Sequence, residues 1–161
     1  MVRENQDKAQ DYIQELSRVL RYTLQSNESQ SVSLREEMEF ASAYIFLLKM
    51  RFENNLQFDI QIAKSFEDYR LPPMAVQVLI ENAVKHNEIS DRKPLTIHIV
   101  TNNEGYLSVS NDIQPKRTAA SGTGIGLVNL AKRYRLLFKQ DIQITEDKEF
   151  SVCIPLIDEV Q

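Results

Sequence analysis

The chain has 161 residues, and its 19 Lys and Arg against 23 Asp and Glu give a net charge of −4 at pH 7. This acidic balance disfavours direct nucleic-acid binding, which is typical of basic surfaces. With 42% hydrophobic and 26% charged residues the chain is predicted to be globular, and its single cysteine and two histidines exclude an intrachain disulfide and leave little for a zinc site.

Two amphipathic helices are predicted first. Apolar residues recur at helical spacing over 5–25 and again over 34–53, and a polar segment separates the two stretches. Ser33 and Glu36 have the S-x-x-E spacing of a capping box, which marks the start of the second helix. The short connection predicts a helical hairpin whose apolar surface packs on another part of a protein.

After Asn54 the apolar pattern changes to an alternation of strands and helices. Strands are predicted at 56–62, 95–99, 107–109, 142–144 and 150–154. Helices are predicted at 72–85, where Pro72 and Pro73 suit a first turn, and at 124–138. Consecutive strand pairs favour antiparallel hairpins, so the predicted fold is an α/β sandwich with a mixed, mainly antiparallel sheet and helices on one face.

The segment LIENAVKHN (79–87) carries polar side chains on an otherwise apolar helix. Asn82 and His86 lie four residues apart and share a face, and Lys85 follows Asn82 by three. An amide oxygen can hold a hard cation, and an ammonium group can hold phosphate oxygens. The alternative is an ordinary helix C-terminus, where Lys85 and His86 interact favourably with the helix dipole.

The segment SGTGIGLVNL (121–130) places three of the four glycines of the chain directly before a helical pattern. Such a turn brings backbone N–H groups to a helix N-terminus, where they can bind phosphate. The segment is neither a Walker P-loop, since no Lys-Ser/Thr follows, nor a dinucleotide fingerprint, since no strand directly precedes it. A hinge or a simple helix N-cap is the alternative.

Taken together, the order of these motifs resembles the GHKL (Bergerat) ATP-binding fold of histidine kinases, gyrase-type topoisomerases and heat-shock chaperones. The chain is most similar to LytS-type sensor histidine kinases, and the resemblance covers nearly its whole length. The matching strings are IQELSRVLRY (13–22), LREEMEF (34–40), KMRF (49–52), LPPM (71–74), IENAVKHN (80–87), GTGIGLVNL (122–130) and Arg133-Tyr134. The resemblance implies the end of the dimerisation helices and their linker over 1–53, and an ATP-binding catalytic domain over 54–161.

The resemblance also implies a role for each matching residue. Asn82 matches the Mg²⁺-binding asparagine of the family, and Glu81 and His86 match its neighbours in the catalytic box. Lys85 matches a phosphate contact. The residues implied to close over the nucleotide as a lid are Gly122, Thr123, Gly124, Ile125, Gly126 and Leu127.

One position departs from the superfamily. Asn111 stands where most members have an aspartate that accepts a hydrogen bond from the adenine amino group, and the usual following glycines are replaced by Ile113, Gln114 and Pro115. An asparagine still offers one acceptor oxygen but adds an NH₂ donor. Of the properties that the resemblance implies, adenine binding is therefore the one that this sequence supports least.

The implied activity is that of an ATP- and Mg²⁺-dependent protein-histidine kinase in a two-component system. The γ-phosphoryl group would pass from ATP to a histidine and then to the receiver domain of a response regulator. The family's acceptor motif, a histidine before Phe-Leu-Phe-Asn, does not occur in the sequence, and His98 is expected to face solvent from a strand. The chain is therefore expected to be a cytoplasmic fragment of a membrane-anchored homodimeric kinase, inactive in autophosphorylation by itself.

Two alternatives stay open. Asn111 motivates a degenerate nucleotide-binding module that acts as a regulatory partner without kinase activity. A GHKL ATPase with Glu81 as general base is the other alternative. It ranks lower, because the topoisomerase-type base lies about one helical turn before its asparagine, which is Val78 in this sequence.

Overall fold

A helical hairpin and a five-stranded sheet form the two parts of the fold in the computed structural model, which describes residues 2–26, 31–116 and 124–159. The helices are α1 (Val2–Ser26), α2 (Leu34–Phe52), α3 (Ala75–His86) and α4 (Ile125–Phe138). The strands are β1 (Val32–Ser33), β2 (Leu56–Gln61), β3 (Arg70–Leu71), β4 (Leu95–Thr101), β5 (Tyr106–Asp112), β6 (Gln143–Glu146) and β7 (Glu149–Pro155). None of the described helices is long and apolar enough to cross a membrane.

The large sheet has the strand order β2-β4-β5-β7-β6. Strands β2 and β4 are parallel because α3 connects them, and the other three pairings are antiparallel. The mixed, mainly antiparallel sheet with its helices on one face confirms the predicted fold class. Strands β1 and β3 form a separate antiparallel pair that was not predicted, since two residues each are too few for an alternating pattern.

The two faces of the sheet differ in polarity. One face packs on α3 and α4 through a single buried cluster that includes Leu56, Leu95, Ile97, Ile99, Leu107, Val109, Val152, Ile154, Leu79, Ile80, Leu130 and Tyr134. The opposite face carries polar side chains such as Asp59 and His98. His98 Nδ1 lies 3.0 Å from Asp59 Oδ2, and the His98 side chain is 44% exposed, so its predicted solvent-facing position is confirmed.

Helix α2 begins as predicted but also joins the core of the sheet. The Ser33 hydroxyl accepts a hydrogen bond from the Glu36 backbone N–H at 3.1 Å, which confirms the predicted start of the helix and the N-cap half of the capping box. The α2 residues in the same buried cluster as the sheet are Leu34, Ala41, Ile45 and Leu48. Helix α2 therefore connects α1 to the sheet, and the domain boundary between residues 53 and 54 stays a prediction.

The start of α3 corrects one prediction. Pro72 and Pro73 were expected to open the helix, but α3 begins at Ala75, after Met74 in a left-handed conformation with φ of 69°. A residue that precedes proline is disfavoured in the α region, so Pro72 cannot readily begin a helix. The proline pair instead leads into a turn in which the Ala75 N–H donates to the Pro72 carbonyl at 3.3 Å.

Candidate functional site

The last turns of α3 open onto a cavity of about 300 Å³. Its walls come from α3, from the segment after β5 and from the β6–β7 hairpin. The lining residues are Asn82, His86, Asn87, Ile113, Pro115, Glu146 and Phe150. Asn82 and His86 reach the same cavity because residues four apart on a helix share a face, as the sequence predicted. The opposite wall is mainly apolar, so the cavity suits a flat ring with polar groups at its edge.

Asn111 does not line this cavity; it lies beside the cavity residue Phe150, on the helix-facing side of the sheet. It is 1% exposed and pairs in register with Ile97 on one side and with the cavity residue Phe150 on the other. Its Nδ2 donates a hydrogen bond to the Asp112 carbonyl at 2.8 Å. This bond uses the amide's donor group and leaves Oδ1 as the side-chain acceptor.

Asn87 ties the end of α3 to the segment after β5, and its role was not predicted. Its side chain is buried, and Nδ2 donates to the Ala83 carbonyl at 2.8 Å. Its Oδ1 accepts from the Gln114 backbone N–H at 2.7 Å, and the Glu88 N–H donates to the Gln114 carbonyl at 2.6 Å. The bonds hold two walls of the cavity at a fixed separation. An asparagine at a helix end is common, so the sequence carried no signal for this role.

Glu81 and Lys85 lie on a different side of α3 from the cavity. Both line a groove of about 490 Å³ between α2 and α3, together with Tyr44 and Arg51. Burial, and after it the Glu81 carboxylate, raises the pKa of Tyr44 to about 12, while Arg51 opposes the shift. The groove and the cavity meet at Asn87, which lines both. The predicted catalytic box is therefore divided between two adjacent faces of one helix.

The predicted lid is only partly described. Gly122 and Thr123 lie outside the described residues. Gly124 has φ of 66° and precedes α4 without a side-chain cap. A Cβ on Gly126 would lie 3.4 Å from Val78 Cγ1, so the first turn of α4 approaches α3 one helical turn before Asn82.

The remaining two lid residues differ in environment. Ile125 is exposed, whereas Leu127 packs partly on the core. In the described range 124–127 no residue lines the cavity.

The donor set of the cavity fits a nucleotide with Mg²⁺. The Asn82 amide and the Glu146 carboxylate carry oxygen atoms of the kind that Mg²⁺ prefers, and Ile113, Pro115 and Phe150 form an apolar surface. Over residues 2–26, 31–116 and 124–159 there is no cluster of three or more His, Cys, Asp or Glu side chains that could hold a metal ion by itself. Such a cluster is not required, because Mg²⁺ in nucleotide sites is held by one or two protein oxygens together with the phosphates.

Comparisons with known proteins agree on one family. The histidine kinase family model matches residues 1–56. The sensor protein LytS of Streptococcus mutans is 33% identical to this chain, and the similarity covers 91% of this chain and 28% of that protein. The sensor histidine kinase/phosphatase LytS of Staphylococcus aureus is 29% identical over 86% of this chain and 26% of its own length. The chain thus spans about a quarter of the length of these curated relatives.

Solved structures of histidine kinases have the same fold. The catalytic domain of histidine kinase ThkA has a TM-score of 0.54 and 18% identity, covering 80% of this chain and 99% of that domain. Full-length ShkA in complex with AMPPNP has a TM-score of 0.50 and 14% identity, covering 96% of this chain and 37% of that protein. At these identities the likeness concerns the fold.

Proposed function

Because the chain belongs to the LytS-type sensor histidine kinases, we propose that it binds ATP with Mg²⁺ and presents the γ-phosphoryl group to an acceptor histidine. The observation that carries the proposal is the shared position of Asn82 and His86 on the wall of one cavity, whose lining residue Phe150 pairs with the buried Asn111. In this arrangement the adenine ring lies against Phe150 and Ile113, and the Asn111 Oδ1 accepts its amino proton. The phosphates extend toward Asn82.

The proposed roles of the polar residues follow from their positions. Mg²⁺, when bound, neutralises phosphate charge, and the Asn82 amide oxygen holds it. Lys85 acts from the adjoining groove and adds a positive charge where the groove meets the cavity. Phosphoryl transfer depends mainly on such positioning and charge neutralisation. Glu81 lies in the same groove and does not line the cavity. A general base, unlike a charge that acts at a distance, needs hydrogen-bond contact with the attacking water, so this position argues against the ATPase alternative with Glu81 as its base.

The acceptor histidine is proposed to lie outside the 161 residues. His86 lines the cavity itself, and His98 is bonded to Asp59 on the opposite face of the sheet. An in-line nucleophile must approach within about 3–3.5 Å of the reacting atom, which a side chain on the far face of a sheet cannot do. In the intact kinase the acceptor would come from another helical segment of a homodimer, on the cytoplasmic side of the membrane. The phosphoryl group would then pass to a response-regulator receiver domain.

Calorimetry with Mg²⁺ and AMPPNP tests the binding step. Asn82→Ala is expected to lower the affinity at least tenfold, about 1.4 kcal/mol, because it removes the metal-binding oxygen. Chelation of Mg²⁺ should weaken binding to the wild-type chain but have little effect on the variant. Asn103→Ala, in the exposed β4–β5 turn, is the matched control and should bind as the wild type does. Equal affinity of Asn82→Ala and wild type would contradict the assignment of Asn82.

The regulatory alternative is tested with the same measurement and a kinase assay. Asn111→Asp restores the usual acceptor and should retain or strengthen ATP binding, whereas Asn111→Leu should lose it. A wild-type chain that binds no nucleotide, or binds it without phosphorylating a supplied acceptor helix, would favour the regulatory module.

A further inference from the structure

A buried carboxylate lies at the opposite end of α3 from the cavity. Glu37, on α2, is 0% exposed and accepts three hydrogen bonds. The Tyr22 hydroxyl of α1 donates to its Oε2 at 2.6 Å, and the Met74 backbone N–H donates to the same oxygen at 3.1 Å. The Val76 N–H donates to Oε1 at 3.1 Å. One side chain therefore joins α1 and α2 to the first turn of α3.

Glu37 supplies the cap that α3 lacks locally. The residue before the helix, Met74, has a left-handed backbone and makes no side-chain capping bond. The first N–H groups of a helix have no intrahelical acceptor, and a negative charge is favourable beside them. A carboxylate brought from another helix meets both requirements.

The surroundings of Glu37 add α4, a fourth helix, to this junction. Arg133 of α4 donates to the Pro73 carbonyl at 2.9 Å. Burial raises the pKa of Glu37, while the hydrogen bonds from Tyr22, Met74 and Val76 and the Arg133 charge oppose that shift. Because every partner of the carboxylate is a donor, the ionised form satisfies all of them.

We infer that Glu37 is a positioning residue that fixes the first turn of α3 and couples the position of α1 to Asn82 and His86. The functional part of this inference rests on the proposed nucleotide site. Helix α3 is one unbroken helix whose buried residues run from Ala75 to Ala83, so a shift of its first turn moves the whole helix against the sheet. At about 1.5 Å per residue, Asn82 lies roughly 10 Å along the axis from Ala75.

Tyr22 is the contact through which α1 reaches this junction. Val19 is the one buried α1 residue among those whose side chains are described, and the rest of the apolar stripe is largely exposed. Tyr22 stacks on Phe40 with ring centroids 4.1 Å apart, so its ring packs on α2 while its hydroxyl reaches Glu37. A displacement of α1 therefore changes the Tyr22–Glu37 bond together with the small buried cluster of Val19, Phe40 and Ala43, whereas no described α1 residue belongs to the buried cluster of the sheet.

The first test uses the 161-residue chain without nucleotide and records NMR spectra of three variants. Tyr22→Phe keeps the ring stack and removes one donor, and Glu37→Gln replaces one acceptor oxygen with a donor. Glu39→Gln, exposed on the same helix, is the matched control. We expect Tyr22→Phe and Glu37→Gln to speed exchange of the Val76 amide at least threefold and to shift the Asn82 side-chain signals. The control should leave both unchanged.

Amides of β4 and β5 provide the internal reference, since a purely structural loss would speed their exchange equally. Unchanged Val76 exchange and Asn82 signals in Tyr22→Phe, which preserves both backbone caps and is expected to fold, would overturn the inference. An equal rise in exchange across α3, β4 and β5 would overturn it as well, because Glu37 would then act on global stability alone.

The second test adds Mg²⁺ and AMPPNP. If the wild-type chain binds, Tyr22→Phe is expected to bind at least threefold more weakly at a temperature well below the melting temperatures of both chains, and equal affinity would overturn the coupling to the cavity. If the wild-type chain binds no nucleotide, the proposed function fails, while the nucleotide-free spectra still decide whether Glu37 couples α1 to α3.

Discussion

The start of α3 is held by the Glu37 side chain of α2 and the Arg133 side chain of α4, whereas its last turns face a cavity on one side and a groove on the other. At the first turn, Glu37 accepts from the backbone N–H groups of Met74 and Val76. At the far end, Asn87 bonds to the segment after β5, and neighbouring Asn82 and His86 line open space. One end of the helix is thus fixed by a buried carboxyl group, while the other end stays open on two sides.

The largest expected loss of stability comes from a substitution at the fixed first turn of α3. Glu37→Leu fills similar space but leaves the Tyr22 hydroxyl and two backbone N–H groups without an acceptor. Unsatisfied buried donors cost about 1–3 kcal/mol each, so we expect a loss of about 3 kcal/mol in the free energy of unfolding. Urea denaturation measures it, with exposed Glu39→Leu as the control. A loss below 1 kcal/mol would show that water replaces the carboxylate.

A smaller effect is expected at the open end. Asn87→Ala removes the bonds to Ala83 and Gln114 and is expected to cost about 2 kcal/mol, within the range for one buried polar group. The same variant should also weaken Mg²⁺–AMPPNP binding, because the two walls joined by Asn87 are no longer held together. Asn103→Ala in the exposed hairpin turn should change neither quantity. If Asn87→Ala lowers the free energy of unfolding but leaves the affinity for Mg²⁺–AMPPNP unchanged, Asn87 does not support the binding site.

The smallest effect lies away from α3, on the open face of the sheet. The hydrogen bond with His98, and then the bond from Gln61, lowers the pKa of Asp59 below its ordinary value of about 3.9. A lowered pKa in the folded state adds stability above the unfolded-state pKa, and that stability is lost as the pH falls through the folded-state pKa. NMR titration of the Asp59 carboxyl carbon should give a higher pKa in His98→Gln than in wild type. Thr96→Ala on the same face is the control, and an unchanged pKa in His98→Gln would contradict the pairing.

The sequence predicted the features that depend on local periodicity. Alternation located the five strands of the main sheet, and the four-residue spacing placed Asn82 and His86 on one face. The three-residue spacing between Asn82 and Lys85 does not place the two side chains on the same wall. At about 100° per residue, Lys85 is turned roughly 60° from Asn82, toward Glu81. That rotation places Lys85 on the wall of the groove rather than of the cavity.

The residues that the sequence missed act across long separations. Glu37 bonds to backbone groups 37 and 39 residues away, and Asn87 bonds to one 27 residues away. Such contacts leave no pattern in the neighbouring sequence. Glu37 is one of three glutamates on the first turns of α2, and only the packing of α3 against that helix distinguishes it from its exposed neighbours Glu36 and Glu39.

The strand order also bears on how the molecule resists self-association. Among the described residues, the outer edges of β2 and β6 pair with no further strand, and such edges can extend a sheet into a second chain. Each carries one acidic residue, Asp59 or Glu146, and neither range, 56–61 or 143–146, contains a Lys or Arg. Any edge-to-edge pairing between copies therefore places like charges in facing strands. This protection is electrostatic, so it weakens as the ionic strength rises and the screening length shortens.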